Sequence, residues 1–491
     1  MKYPLFIKAI AALMLLCCVE SCDKKANELP EPKKSPLEIT PSKLEMKIGE
    51  KKTATLQNGS GKYELTNTGT EKVAVQIEGN MLAVEAHAPG EAKITVSDKE
   101  TKEKASLSVT VSAPALPEGV KVENGVLLEW PGDLIPADGK VFLSSEIKEI
   151  GESAFYRGPV KEVSIPASVK KIGKNAFAEC NGLIKVEMAE GVTELGESAF
   201  YQCHALETAN IPASVSEMKP NVFAYCEKLT KVKLTEGLKQ IGESAFVKCG
   251  ALTEIAFPQS LTSIGDNAFN GCSELTSIRI PNGVNEILDN TFKGCTALVS
   301  VQLPSKLTAL GRYAFNNCVA LKEIVLPQTL TKIDGYAFSG CTALTKIEIP
   351  QNLTEIDAST FEYCSGLTDV VFATGNKLTK IGIKAFKQCE RLAKITIPQG
   401  VDMLDNFAFQ GCSSLSEIEL PSTLTSIRLN CFVNCKQLKK VVCRAETPPA
   451  VMGDVFKNTA SEKTLVVPAQ AEELYEADYI WKNFTTIETL K

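Results

Sequence analysis

Cysteine recurs along this 491-residue chain at a nearly constant interval. Nine cysteines, from Cys180 to Cys364, follow one another 23 residues apart, and after one 25-residue step the interval continues through Cys389, Cys412 and Cys435. A phenylalanine precedes each of these twelve cysteines by three residues, and a leucine follows each by three. Self-similarity at a period of about 20 to 29 residues is typical of a solenoid, in which each turn of the chain is one structural unit.

Each turn contains two short apolar segments. In the turn that begins at Cys272, Ile278 and Ile280 belong to a Leu-x-x-Ile-x-Ile strand that ends at Pro281, because proline has no N–H to donate. Val284 and Ile287 form the second segment. Ordering a lone turn costs roughly 35 kcal/mol, whereas each buried apolar side chain returns about 1.5 to 3 kcal/mol, so only stacked turns are stable.

The repeat Cys-x-x-Leu-x-x-Ile-x-Ile-Pro, followed by Val-x-x-Ile-Gly-x-x-Ala-Phe, resembles the BspA-type (treponemal) leucine-rich repeat family over about residues 140 to 457. This resemblance implies a mainly β solenoid of about 13 turns, roughly 60 Å of stacked strands. It also implies a surface protein that adheres to other proteins.

Both ends of the repeat array depart from the pattern, as terminal repeats that face water do. Gly158 occupies the position of the repeat cysteine, and Phe456, Tyr475 and Trp481 resemble the terminal turn of this family. We therefore predict a linker and N-terminal cap at 114–157, repeats at 158–443 and a C-terminal capping turn at 444–491. The two extra residues before Cys389 predict a local bulge near residues 373–376.

The first residues have the plan of a secretory signal, with Lys2 and Lys8 before an apolar run that ends at Val19. Cys22 stands at the expected cleavage point, so residues 1–21 resemble a bacterial lipoprotein signal, which implies a lipid anchor on Cys22. An ordinary signal peptide, with Cys22 incidental, is the alternative. Residues 22–36 are charged and rich in proline, which is typical of a flexible tether.

Residues 37–113 alternate apolar and polar side chains in short runs separated by turn residues, which predicts a small β-sandwich. The segment from Ala88 to Val96 resembles bacterial immunoglobulin-like domains of the group-2 type. Such domains are usually spacers in surface proteins.

The sequence offers little for catalysis, and we predict no enzyme, no metal and no cofactor. The chain has two histidines, His87 and His204, and no Ser-His-Asp or Cys-His arrangement can be assembled from them. Removal of residues 1–21, with two lysines and one glutamate, takes the formal net charge from -6 to -7. A mildly acidic chain disfavours nucleic acid as a partner.

Twelve repeat cysteines in a secreted chain raise the question of disulfides. Equivalent residues on stacked turns lie about 4.8 Å apart, beyond the Cβ separation of roughly 3.5 to 4.5 Å that a disulfide needs. We therefore predict a column of buried, reduced thiols. Cys431 and Cys443 lie off the interval, and the sequence leaves their roles open.

Two surfaces are candidates for binding. The outward positions of the Leu-x-x-Ile-x-Ile strands carry mixed charge and no aromatic residue, which disfavours both nucleic acid and stacked sugars on this side. The candidate residues there are Lys231, Lys233, Glu254, Arg279, Lys322, Glu323, Lys346, Glu348, Asp369 and Lys394. The second choice is a set of tyrosines beside the repeat phenylalanines, Tyr313, Tyr336 and Tyr363.

Taken together, these patterns favour a monomeric, lipid-anchored adhesion protein of the outer membrane and cell surface, with host or microbial surface or matrix proteins as partners. A carbohydrate-binding lipoprotein for nutrient capture is one alternative, and a structural envelope protein without a specific ligand is another. The sequence leaves the partner and the binding face open.

Overall fold

The structure is a computed structural model that describes residues 35–490. The predicted signal peptide, Cys22 and most of the predicted tether lie outside these residues. The described residues form two compact units, 35–87 with 91–110, and 88–90 with 111–490. No helix in this part of the chain is long and apolar enough to cross a membrane.

The first unit is built from two four-stranded sheets. Alternation places Leu107 and Val109 in its core while Ser108, between them, is exposed. The first sheet contains, in spatial order, Glu38–Thr40, Lys51–Gln57, Met81–Ala86 and Val73–Glu78, and the second contains Lys43–Lys47, Lys104–Ser112, Gly90–Asp98 and Tyr63–Asn67.

The second unit is a β-solenoid of about 16 turns, which confirms the predicted mainly β repeat fold. It has more turns than the roughly 13 expected, because turns without the repeat cysteine stack at both ends. Most turns contribute a first strand, and these pair in parallel. The first strands are Lys140–Phe142, Glu162–Ile165, Lys185–Met188, Thr208–Asn210, Lys231–Lys233, Ser277–Arg279, Ser300–Gln302, Glu323–Ile324, Lys346–Ile349, Asp369–Phe372, Lys394–Thr396, Glu417–Leu420, Lys440–Cys443, Thr464–Val467 and Thr486–Thr489.

A second, shorter strand follows in most turns, at the predicted second apolar segment. The strand Lys121–Glu123 precedes them and pairs antiparallel with Val126–Glu129, the first of the second strands. The second strands pair with one another in parallel. The second strands are Val126–Glu129, Glu149–Ile150, Lys171–Ile172, Glu194–Leu195, Glu217–Met218, Gln240–Ile241, Ser263–Ile264, Glu286–Ile287, Ala309–Leu310, Lys332–Ile333, Glu355–Ile356, Lys380–Ile381, Met403–Leu404, Ser426–Ile427 and Ala450–Val451. One α-helix, Glu472–Ala477, and the 3-10 turns Gly132–Leu134, Ala469–Ala471 and Trp481–Asn483 complete the unit.

The repeat phenylalanines form one continuous column of stacked rings inside the solenoid. Neighbouring rings are nearly parallel, from 4.7 Å between the centroids of Phe155 and Phe177 to 5.7 Å between those of Phe409 and Phe432. The two tryptophans of the chain close this column. Trp130 stacks on Phe155 at one end, and Trp481 meets Phe456 edge-on at the other. The larger indole rings thus cover the terminal phenylalanines, which lack a neighbouring turn.

The corner around each phenylalanine depends on left-handed backbone on both of its sides. Asn290 has φ of 56° two residues before Phe292, and Gly294 has φ of 70° two residues after it. Asparagine, serine or glycine occupies a majority of these positions, and asparagine and glycine adopt positive φ more readily than other residues. Longer side chains, among them Tyr313 and Lys384, occupy the rest. The extra residues near 373–376 lie in the loop between Asp369–Phe372 and Lys380–Ile381, where Gly375 has φ of 70°.

Candidate functional site

The cysteine column is structural. All fourteen described cysteines are free and buried, as predicted for the repeat positions. The Sγ–H of each repeat cysteine donates to the carbonyl oxygen of the phenylalanine in the preceding turn, as from Cys272 to Phe246 at 3.2 Å. The thiols therefore satisfy buried carbonyl groups as well as filling space.

Burial also makes these thiols poor nucleophiles, because the thiolate form loses its hydration. It raises the pKa of Cys295 and that of Cys341 to about 12. Cys431 is buried in the same way and its pKa is raised. Cys443 ends the first strand Lys440–Cys443 and lies 3.1 Å from the hydroxyl of Tyr475, which donates to the carbonyl oxygen of Ala445 at 2.9 Å.

The two histidines belong to different units. His87 lies in the first unit and is exposed, and His204 Nδ1 lies 3.8 Å from a carboxylate oxygen of Glu227. Within residues 35–490, no group of three or more histidine, cysteine or acidic side chains could hold a metal ion.

The strand face, defined as the outward side of the first strands, bears the first-choice candidate residues. In Ser277–Arg279, Ile278 points into the core while its two neighbours are exposed, and the same alternation recurs in other first strands. All ten first-choice residues, from Lys231 to Lys394, are exposed on this face. Whether they bind a partner stays a prediction.

Charges on the strand face are arranged unevenly. Toward the N-terminal end Lys140 pairs with Glu162 at 3.1 Å, and toward the C-terminal end Glu417 pairs with both Lys394 at 2.9 Å and Lys440 at 3.2 Å. Within the described chain, no residue from 228 to 331 takes part in an ion pair. The middle of the strand face therefore presents charges without ionic partners.

A groove of about 690 Å³ opens on this middle region. Its lining includes Lys231, Lys233, Glu254 and Arg279 beside apolar side chains such as Val301. The structure thus brings together four of the predicted residues around one depression, which the average pattern of the repeat could not indicate.

The second-choice tyrosines divide into a pair and a single residue. The rings of Tyr313 and Tyr336 stack with centroids 4.7 Å apart, and the guanidinium carbon of Arg312 lies 5.1 Å and 5.5 Å from the two centroids. Lys293 Nζ lies 4.8 Å from the Tyr313 centroid, whereas Tyr363 is half exposed beside Lys387. The faces of these two rings therefore contact each other and cationic side chains of the same protein.

A family profile matches most of the solenoid. The profile described as BspA type leucine rich repeat region matches residues 148–276, 262–377 and 372–487. Among curated proteins, none matches the sequence.

Solved structures of bacterial leucine-rich repeat proteins are similar. A leucine-rich repeat protein from Bacteroides ovatus ATCC 8483 is 25% identical over 77% of this chain and 97% of its own, with a TM-score of 0.47. A leucine rich cell surface protein from Faecalibacterium prausnitzii A2-165 is 23% identical over 68% and 95%, with a TM-score of 0.35. The leucine rich repeat protein of T. pallidum is 30% identical over 38% and 78%, with a TM-score of 0.30.

Proposed function

This chain belongs to the BspA type leucine-rich repeat family, and we propose that it is a cell-surface scaffold that binds other proteins through its strand face. One observation carries the proposal: exposed side chains stand in rows on first strands that pair in parallel between most neighbouring turns. A preformed surface loses little conformational freedom on binding, which favours affinity for a large partner. In this proposal the protein acts as a monomer, and its partners are host or microbial surface or matrix proteins.

We further propose that the chain is secreted and held at the outer membrane by acyl groups on Cys22. The basic and apolar plan of residues 1–21 and the proline-rich residues after them support this arrangement. Labelling of growing cells with a palmitate analogue should mark the wild type and leave Cys22→Ser unmarked. Equal labelling of both chains would contradict the lipid anchor.

The proposal includes no catalytic step. The thiols of the repeat column are buried and strongly disfavoured as thiolates, and His204 Nδ1 lies 3.8 Å from a carboxylate oxygen of Glu227. A nucleophile needs an accessible position and a base within hydrogen-bond reach.

A capture experiment with charge-reversal variants tests the binding role. Wild-type protein is compared with a strand-face variant in which Lys233, Arg279, Lys322 and Lys346 become glutamate, and with a control in which lysines outside the strand face change equally. The control lysines are Lys228, Lys239, Lys306 and Lys457, which are exposed. We expect a protein to bind the wild type and the control but not the strand-face variant, with matching thermal unfolding for all three. Equal capture by all three would refute the strand face as the binding surface.

A further inference from the structure

The groove on the strand face arises where the repeat departs from its own pattern. Ala256 occupies the outward position that holds Lys233 in the preceding turn and Arg279 in the following one. Stacked turns are about 4.8 Å apart, so the two cationic side chains start roughly 10 Å apart. Between them stands a methyl group, which leaves the depression open.

A second departure lies at the next position of the same turn. Phe257 fills a site that holds Leu234 and Ile280 in the neighbouring turns, and its ring meets Phe269 edge-on with centroids 5.5 Å apart. This turn contributes no regular first strand, and a single bridge joins Glu254 to the following turn at Ser277.

The charges around the groove are mainly positive. Three of the lining residues, Lys231, Lys233 and Arg279, are basic, and Glu254 is the one acidic residue of the lining. No ion pair involves any of the four among residues 35–490. An exposed cluster of free cations on a chain of net charge -6 attracts carboxylates locally, and arginine can hold one with two hydrogen bonds.

We propose that this groove binds an acidic segment of a partner protein in an extended conformation. In an extended segment the side chains of one face repeat every two residues, about 6.7 Å apart, so carboxylates at alternate positions come within reach of the long Lys233 and Arg279 side chains. The partly buried side chains of Leu234 and Val301 provide apolar contacts beneath such a segment. This inference rests on the proposed binding role of the strand face and deepens it.

Other ligands fit the groove less well. Sugars are commonly bound against exposed aromatic faces, and Phe257, the aromatic residue of the lining, is buried. Nucleic acid requires a longer basic stripe, whereas Glu254 interrupts this one and Glu323 and Glu348 follow along the strand face.

The experiment measures binding of a fluorescein-labelled eight-residue peptide of alternating glutamate and leucine to the full chain, by fluorescence anisotropy at low and physiological salt. The comparison peptide has glutamine in place of glutamate, and a heparin fragment serves as the anionic-glycan probe. We expect the glutamate peptide to bind at least tenfold more tightly than the glutamine peptide, with affinity falling as salt increases.

Two groove variants remove different features. Lys233→Gln with Arg279→Gln removes the charge, and Ala256→Trp fills the gap and leaves the charge unchanged. Each should weaken glutamate-peptide binding at least tenfold, whereas the control Lys239→Gln with Lys306→Gln should change it less than twofold. Unchanged binding in both groove variants, or tight heparin binding without peptide binding, would overturn the acidic-segment proposal.

The same variants separate this proposal from the broader one. If the four-residue strand-face variant loses its captured protein while both groove variants retain it, the groove assignment fails and the strand face remains the binding surface. If none of them loses a captured protein, the proposed function itself fails.

Discussion

The thiol of Cys226 donates a hydrogen bond to the carbonyl oxygen of Phe200 in the preceding turn, with 3.2 Å between sulfur and oxygen. The backbone N–H of Cys226 donates to the carbonyl of Phe223 in its own turn. From Phe155 to Phe409, each repeat phenylalanine carbonyl therefore accepts hydrogen bonds from two turns. This shared acceptor explains why a small side chain with a donor recurs at every step, because an apolar residue would leave the second bond unmade.

Because these thiols are buried and reduced, an aqueous thiol reagent should not reach them in the native protein. A chain lacking residues 1–22 contains fourteen cysteines, all of them free in the structure. Titration with such a reagent at neutral pH should count almost none before denaturation and about fourteen after denaturation without reductant. A denatured protein with almost no reactive thiol would show that the column is oxidised.

Stability should fall at alkaline pH. Burial raises the pKa of Cys295 and of Cys341 from 9.0 to about 12, so the folded state keeps these protons to higher pH than the unfolded state. Their contribution to the free energy of unfolding is complete below pH 9 and is lost as the pH rises toward 12. Thermal unfolding at pH 7, 9, 10 and 11 should show this decline.

The double variant Cys295→Ala with Cys341→Ala should lose stability less steeply between pH 9 and 11 than the wild type. Ser277→Ala with Ser300→Ala, at exposed positions, provides the control and should keep the wild-type slope. If stability fell with pH at the same rate in all three proteins, the thiols would not be the cause of the alkaline loss of stability.

Alanine should be unfavourable at the left-handed position two residues before a repeat phenylalanine. Asn290 has φ of 56°, so Asn290→Ala should lower the free energy of unfolding by about 1–2 kcal/mol in urea denaturation. Asn290→Gly should cost less, because glycine adopts this backbone readily. Asn285→Ala, at an exposed position without positive φ, should change stability by less than about 0.5 kcal/mol. A larger cost at Asn285 than at Asn290 would contradict this account.

Close stacking of the turns also predicts that substitution by alanine lowers stability at one glycine and leaves it nearly unchanged at another. A Cβ on Gly196 would lie 2.5 Å from the carbonyl carbon of Gly173 in the preceding turn, so Gly196→Ala should cost about 1–3 kcal/mol in urea denaturation. A Cβ on Gly250 would meet its nearest neighbour, Ser273 Oγ, at 3.5 Å, which is an ordinary contact. Gly250→Ala should therefore be nearly neutral, and equal costs at both sites would refute the packing argument.

Much of this fold was accessible from the sequence, because the period of cysteine and phenylalanine specifies one structural unit per turn. The capping role of Trp130 was less accessible, since it depends on the place of this residue above Phe155 rather than on any local motif. The left-handed corners left a signal in the asparagine or serine two residues before most phenylalanines, such as Asn267. The thiol hydrogen bonds left no signal in the sequence, because the acceptor is a backbone carbonyl of another turn.

The candidate surface was predictable only in outline. Alternation in the first strands placed residues such as Lys231 on the outside, and the structure exposes them. The groove depends on Ala256 and Phe257, two departures from the repeat that have no evident consequence until neighbouring turns are stacked. The absence of ion pairs from residues 228 to 331 of the described chain likewise depends on side-chain geometry.

Hydrogen–deuterium exchange on the full chain, alone and with a protein that it captures, tests the central claim that partners bind the strand face. We predict slower exchange on binding in the first-strand segments near Lys231, Ala256 and Arg279, with the second strands and the phenylalanine corners unchanged. Protection confined to the second strands, the corners or the first unit, with these segments unaffected, would contradict the account.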